Sequence, residues 1–202
     1  MPAPASIHAC GPLHWTVLRH RHGEPAEPLA RGWLAGTLGL AVDALGLERD
    51  ARNRPRFDAA SPGLDCNWSH SGERLLVALG HGYAVGADLE RRRPRARALA
   101  LAERFFAREE FEWLSTLPAS VREDAFVRLW CAKEAVLKAH GHGLSFGLQR
   151  LCFEARAGAL RLVACDPELG APEDWGLRVF EPEHGYVAAL AWHPLRAAAV
   201  AA

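Results

Sequence analysis

The spacing of apolar positions along this chain changes character twice. Leu13 to Leu18 alternates apolar and polar residues, the period of a half-buried strand. From Glu27 to Leu47 the residues Leu29, Trp33, Leu34, Leu38 and Leu45 recur at helical spacing, although Gly32, Gly36 and Gly39 lower the helix preference. Polar, turn-rich sequence broken by Pro55 and Pro62 fills Glu48 to Asp65. Two apolar runs of strand length follow, Arg74 to Leu79 and Tyr83 to Leu89, and the short Gly80-His81-Gly82 gap predicts a hairpin between them.

After Pro94 the period becomes helical. Arg97 to Phe106 and Glu109 to Leu117 carry apolar stripes, with Phe105, Phe106, Phe111 and Trp113 expected in the core. A longer helix is predicted over Ser120 to His140, with Val121, Ala125, Val127, Leu129, Trp130, Val136 and Leu137 apolar and with Gly141 and Gly143 as its stop. Strands resume at Arg150 to Phe153, Leu160 to Cys165, Gly176 to Phe180 and Tyr186 to Trp192. The stretches ERLLVALGHG and HGYVAALAWHP echo one another, each an apolar strand late in its half. The pattern as a whole suggests an α+β protein of two halves, 1–84 and 85–202, meeting near Val85 without a linker.

Composition narrows the function classes. Acidic and basic residues balance at 24 each, so overall charge draws no nucleic acid. No apolar run approaches the roughly 20 residues of a membrane helix, and MPAPASIHACGPLHW lacks the basic start and apolar core of a secretory signal. Cys10, Cys66, Cys131, Cys152 and Cys165 are odd in number and form no C-x-x-C pair, which fits a reducing cytoplasm better than a disulfide framework or structural zinc.

The basic residues carry a sharper signal. Arginine supplies every positive side chain except two, Lys133 and Lys138, both within WCAKEAVLK. Exceptions so clustered suggest a role that a guanidinium does not fill. Glu134 and Lys138 are four apart and share a helix face, with Lys133 beside it; an ordinary exposed ion pair has the same spacing. In VGADLE, Asp88 and Glu90 present two carboxylates on one face of a strand, either a magnesium platform or a polar strand end. NWSHSG, Asn67 to Gly72, reads as a loop offering hydroxyl and imidazole donors to a phosphate. A serine-hydrolase reading lacks a G-x-S-x-G elbow. Arg54 in NRPRF is either a phosphate ligand or a solvated turn residue. The Arg91–Arg97 run reads as a solvated face or a nucleic-acid patch, and the pairs His20/His22 and His140/His142 as surface histidines or, without a further ligand cluster to support it, metal ligands.

Three of these stretches together resemble the blocks of the surfactin-type 4′-phosphopantetheinyl transferases. NWSHSG resembles that family's N-[IVFW]-SHS-G, VGADLE its VG-[IV]-D-[IVL]-E, and WCAKEAVLKAHGHGL its W-x-x-KE-[AS]-x-x-K-x-x-G-x-G-[LM]. They come in the family's order and spacing and span Asn67 to Leu144. Upstream, NRP stands where the family has GKP. Ala87, Asn53 and Arg54 depart from the usual residues, Asn53 being tolerable where the turn needs a positive φ.

The resemblance implies transfer of phosphopantetheine from coenzyme A to a serine of an apo acyl or peptidyl carrier protein, with adenosine 3′,5′-bisphosphate released. It further implies a pseudo-twofold monomer of two similar α/β halves with the active site in the cleft between them. Magnesium, or manganese in its place, would be held by Asp88, Glu90 and Glu134. Lys138 would meet the phosphates, Lys133 would support the leaving group, and Glu134 is the nearest base for the serine proton. Coenzyme A would be bound by Arg31, Asn53, Arg54, Pro55, Asn67, Ser69 and His70, together with Asp88, Glu134 and Lys138. The alternatives are a nucleic-acid-binding protein using the Arg91–Arg97 run and a catalytically inactive coenzyme A-binding module.

Overall fold

The computed structural model describes residues 6–195, so the outermost residues of the two expected halves, 1–5 and 196–202, lie outside the described residues. The chain begins with β1 (His8–Cys10) and β2 (Leu13–Arg19), then α1 (Glu27–Leu38). β3 (Leu47–Arg49) and β4 (Pro55–Phe57) precede the long strands β5 (Leu64–Ser71), β6 (Arg74–His81) and β7 (Tyr83–Arg91). Helices α2 (Ala98–Phe105), α3 (Arg108–Thr116) and α4 (Ala119–His140) follow, and β8 (Leu151–Arg156), β9 (Ala159–Cys165), β10 (Gly176–Phe180) and β11 (Tyr186–Pro194) close the fold.

One antiparallel sheet has the order β1-β2-β6-β5 and a second the order β10-β11-β7, while β3–β4 and β8–β9 are separate hairpins. Strict alternation along the strands makes four layers. On β6, Leu75, Val77 and Leu79 pack with Ala30, Trp33 and Leu34 of α1. Its intervening residues Leu76 and Ala78 pack between the sheets with Val85, Ala87 and Leu89 of β7 and with Ala188 and Leu190 of β11. Val187, Ala189 and Ala191 then turn outward, against α4. By the same alternation Gly86, Asp88 and Glu90 face α4. Gly86 is the point of closest approach: a Cβ there would lie 1.8 Å from the Ala135 carbonyl oxygen. Helix α4 rests directly on the β7 backbone at that position.

Three expectations change. The helix from Glu27 stops at Leu38, where Gly39 takes φ 68° and caps it. A 3-10 turn at Val42–Ala44 and strand β3 complete the stretch to Arg49. The expected hairpin between β6 and β7 is absent, because β2 and β5 already occupy both edges of β6 and β7 pairs with β11. NWSHSG is not a loop: Asn67 to Ser71 belong to β5, and Gly72 (φ 58°) makes the turn into β6. The aromatic face behaves as expected, with Phe106 buried and Phe105, Phe111 and Trp113 packed beside it.

Candidate active site

The two large sheets meet edge to edge at β5 and β7, and polar side chains stand in for a ladder. The Asp65 carboxylate accepts the Val85 N–H at 2.6 Å, the Asn67 Oδ1 accepts the Ala87 N–H at 3.1 Å, and the Ser71 Oγ accepts the Arg91 N–H at 3.0 Å. A strand edge buried here would otherwise leave main-chain donors without partners. The alternating polar residues of DCNWSHS are therefore consumed by the neighbouring strand. Arg54 serves the same junction. Its buried guanidinium donates to the Asp65 carboxylate, to the Val85 carbonyl at 2.9 Å and to the Ala139 carbonyl at 2.9 Å. It ties β5, β7 and the end of α4 together.

Against this junction stand the acids. Lys138 on α4 directs its ammonium at Asp88 Oδ1 (2.6 Å), Ser69 Oγ (3.1 Å) and the Ala87 carbonyl (3.2 Å), three acceptors for three donors. Ser69 Oγ in turn donates to Asp88 Oδ1 at 3.0 Å. Asp88 and Glu134 are both buried, and each keeps one oxygen, Oδ2 and Oε1, without any hydrogen-bond partner. Desolvation, reinforced by the nearby Asp88 charge, pushes the Glu134 carboxyl up to about 7. Burial and Asp88 also raise Glu90, whose carboxylate is drawn 2.7 Å from Arg95. Among the described residues no three His, Cys, Asp or Glu side chains are gathered in the geometry of a metal site. Two buried carboxylates with unpartnered oxygens nevertheless form a donor set suited to a hard divalent cation.

Lys138 also borders an open pocket of about 420 Å³. Its walls are Arg49, Arg52, Asn53, Arg54, Pro55, Asn67 and Trp68 on one side and Gly141, His142, Gly143 and Ser145 on the other. Four cationic residues and no carboxylate line it, the charge pattern of an anion site. Asn53 adopts φ 62°, the left-handed turn that its substitution for glycine requires. Asp50 holds this turn by accepting the Arg52 and Arg54 N–H groups, each at 2.9 Å. Arg49 lies over the Trp68 ring at 4.8 Å and pairs with Glu27 at 2.7 Å.

The structure thus brings Asn53, Arg54, Pro55, Asn67, Ser69, Asp88, Glu134 and Lys138 to one place, with Glu90 at its rim. Three expected residues stand elsewhere. Arg31 contributes no wall and bonds to Glu27 at 2.9 Å, so it reaches the pocket only through the carboxylate it shares with Arg49. His70 is not among the pocket walls: it is exposed near the end of β5, its ring 4.7 Å from that of His20, and partial desolvation and nearby positive charge lower its pKa. Lys133 corrects the reading most clearly. Fully buried, it points away from the cleft and pairs with Glu110 at 2.6 Å. The spacing that puts Lys133 next to Glu134 says nothing about where a long side chain ends. Arg49, Arg52, Trp68, His142 and Ser145 are walls that the motifs do not reveal, although the basic spacing of Arg49 and Arg52 beside NRP is a usable signal.

The Arg91–Arg97 run is partly spent within the fold. Arg92 pairs with Asp124 at 2.8 Å and Glu181 at 2.5 Å, and Arg95 with Glu90. His20, expected on the surface, is buried. No described helix is long and apolar enough to cross a membrane.

Known proteins share this arrangement's sequence. The profile of the 4′-phosphopantetheinyl transferase superfamily matches residues 84–191. The chain is 33% identical to the 4′-phosphopantetheinyl transferase HetI of Nostoc over 176 residues, 82% of this chain and 70% of HetI. It is 41% identical over 122 residues to psf-1 of Bacillus pumilus, covering 60% of this chain and 51% of that protein. With Sfp of Bacillus subtilis the identity is 31% over 135 residues, 66% and 57% of the two chains. A profile spanning β7 to β11, with relatives whose likeness runs through most of the fold, settles the lineage: the chain belongs to the 4′-phosphopantetheinyl transferase superfamily.

Proposed function

We propose that this protein transfers the 4′-phosphopantetheine group of coenzyme A to a serine of an apo acyl or peptidyl carrier protein. The observation that carries this reading is the junction of two features. A carboxylate-free cationic pocket meets, at Lys138, a pair of buried carboxylates with unpartnered oxygens. A nucleotide with several phosphates suits the first, and a divalent cation suits the second.

In this reading Asp88, Glu134 and Glu90 would hold magnesium, or manganese in its place. Such an ion supplies charge neutralisation at the pyrophosphate and its leaving oxygen. Lys138 pairs with the same phosphates, and Arg49, Arg52 and the Asn53–Pro55 turn hold the nucleotide. The carrier serine Oγ forms a bond to the phosphorus bearing pantetheine. The bond from that phosphorus to the bridging oxygen breaks, and adenosine 3′,5′-bisphosphate leaves with the electron pair. In the same reading Glu134 is the candidate to take the serine proton. Orientation and charge compensation do most of the work.

A pseudo-twofold duplication belongs to the same reading, with halves meeting at the start of β7. In its favour, β2-β6-β5 and β7-β11-β10 share one strand order, and α1 and α4 each follow the first strand. The echoing stretches fall on β6 and β11, equivalent strands in that scheme. Free cysteines at positions 10, 66, 131, 152 and 165 suit the cytoplasm, and a monomer suffices because both halves lie in one chain. The test is to incubate the protein with coenzyme A, magnesium and a panel of apo carrier proteins and weigh the carriers. A mass gain of one phosphopantetheine on a carrier serine is expected. No gain on any carrier, or a gain unaffected by chelator, would contradict the assignment.

A further inference from the structure

The buried lysine has no role in the chemistry above, yet it is built with care. Its ammonium has three donors, and the structure gives each an acceptor: the Glu110 carboxylate at 2.6 Å, the Leu148 carbonyl at 2.9 Å and the Leu151 carbonyl at 2.6 Å. The Phe106 and Phe153 rings flank it at 4.9 and 5.5 Å. Glu110 is equally committed, accepting the Ala107 N–H at 3.0 Å and the Phe153 N–H at 2.9 Å. Neither side chain has an unpartnered atom.

What the ammonium holds is the chain leaving the pocket wall. Helix α4 is capped by Gly141, whose N–H donates to the Leu137 carbonyl at 2.9 Å. From there the chain passes Gly141, His142, Gly143 and Ser145, all walls of the cationic pocket, and reaches Leu148. Phe146 anchors the middle of this segment in the core. Its near end is fixed by the helix cap, and its far end by the two carbonyls bonded to Lys133. The lysine and the wall therefore belong to one loop, closed from α4 back onto α4.

We propose that Lys133 is a positioning residue for nucleotide binding: by holding Leu148 and Leu151 it sets the 141–147 wall of the cationic pocket. This rests on the pocket being the coenzyme A site. A preset wall lowers the ordering cost of binding, so loss of the anchor should weaken affinity and leave the reacting groups in place.

The test uses Lys133→Met and the double variant Lys133→Met/Glu110→Met. The double variant removes both buried charges together, a change that folds commonly tolerate. Coenzyme A affinity is measured by calorimetry, transfer by steady-state kinetics and wall protection by amide hydrogen exchange over residues 142–147. The expected result is a Kd and KM for coenzyme A raised at least about fivefold. Exchange of the wall amides should be faster, and kcat at saturation close to wild type. Variants that bind coenzyme A as tightly as wild type, with unchanged exchange, would overturn the proposal, even if they are less stable. A collapse of kcat at unchanged Kd would also overturn it, by placing Lys133 in the chemistry. Failure of the wild-type protein to bind coenzyme A would instead refute the site assignment, while the exchange measurement would still test the anchor.

Discussion

Helix α4 carries the chain's two lysines five residues apart, and their surroundings are built to opposite rules. Around Lys133 every donor and acceptor is matched: three acceptors meet the ammonium, and Glu110 has a partner on both oxygens. Around Lys138 the ammonium is equally matched, but Asp88 and Glu134 each retain a buried oxygen with no partner. Complete satisfaction is what a core pair needs to offset the cost of burying charge. Incomplete satisfaction costs stability and persists where a ligand completes the set. Both lysines answer to the same local demand, a compact three-donor group among three acceptors. A planar guanidinium with five donors meets neither.

The comparison can be broken in several ways, the most damaging first. Lys133→Met leaves Glu110 buried without its counter-charge and should cost about 3–5 kcal/mol in chemical denaturation. The double variant with Glu110→Met should recover most of that loss. A single variant as stable as wild type would show that the matched cluster contributes little. Gly86→Ala sets a side chain against the Ala135 carbonyl and should destabilise by about 3 kcal/mol. Denaturation midpoints would reveal whether the helix can instead move away from β7.

On the open side, Glu134→Gln should reduce kcat/KM for carrier modification by at least about 100-fold, the scale of a lost transition-state charge contact. Its melting temperature should hold or rise, because the change removes a buried charge beside Asp88. An active Glu134→Gln enzyme would remove Glu134 from the site's chemistry. The smallest effect expected is that of Lys138→Arg, about tenfold in kcat/KM or roughly 1.4 kcal/mol. Exposed Arg108→Lys, paired only with Glu112 on the surface, serves as a silent control.

Much of this was legible in the sequence, and the exceptions share a cause. Helices α2, α3 and α4 and the strands from β8 onward follow from apolar spacing, because each packs one face or both against the core. Strand and helix periodicity put Asp88 and Glu134 on the faces they occupy, and the positive φ of Asn53 agrees with its standing where the resembled family has glycine. Strand β5 was not, because Asp65, Asn67, Ser69 and Ser71 read as turn and phosphate-loop residues when their partners are main-chain and side-chain groups around β7. Arg54 was read as a phosphate ligand or a solvated turn residue, yet its guanidinium is buried and most of its donors serve the junction of the sheets. Lys133 was misread for a similar reason: its destination is set by Glu110 and by two carbonyls of the chain beyond α4. Local periodicity fixes where a side chain starts, and tertiary partners fix where a long one ends.

The most direct measurement of the two-lysine account is a side-by-side mass analysis of one apo carrier protein. It would be incubated with saturating coenzyme A and magnesium and with wild-type enzyme, Lys138→Met or Lys133→Met/Glu110→Met. The account predicts full conversion by wild type and by the double variant, whose weakened binding saturation overcomes, and little conversion by Lys138→Met. Conversion by Lys138→Met with none by the double variant would contradict it, because the lysine used in transfer would then be the buried one.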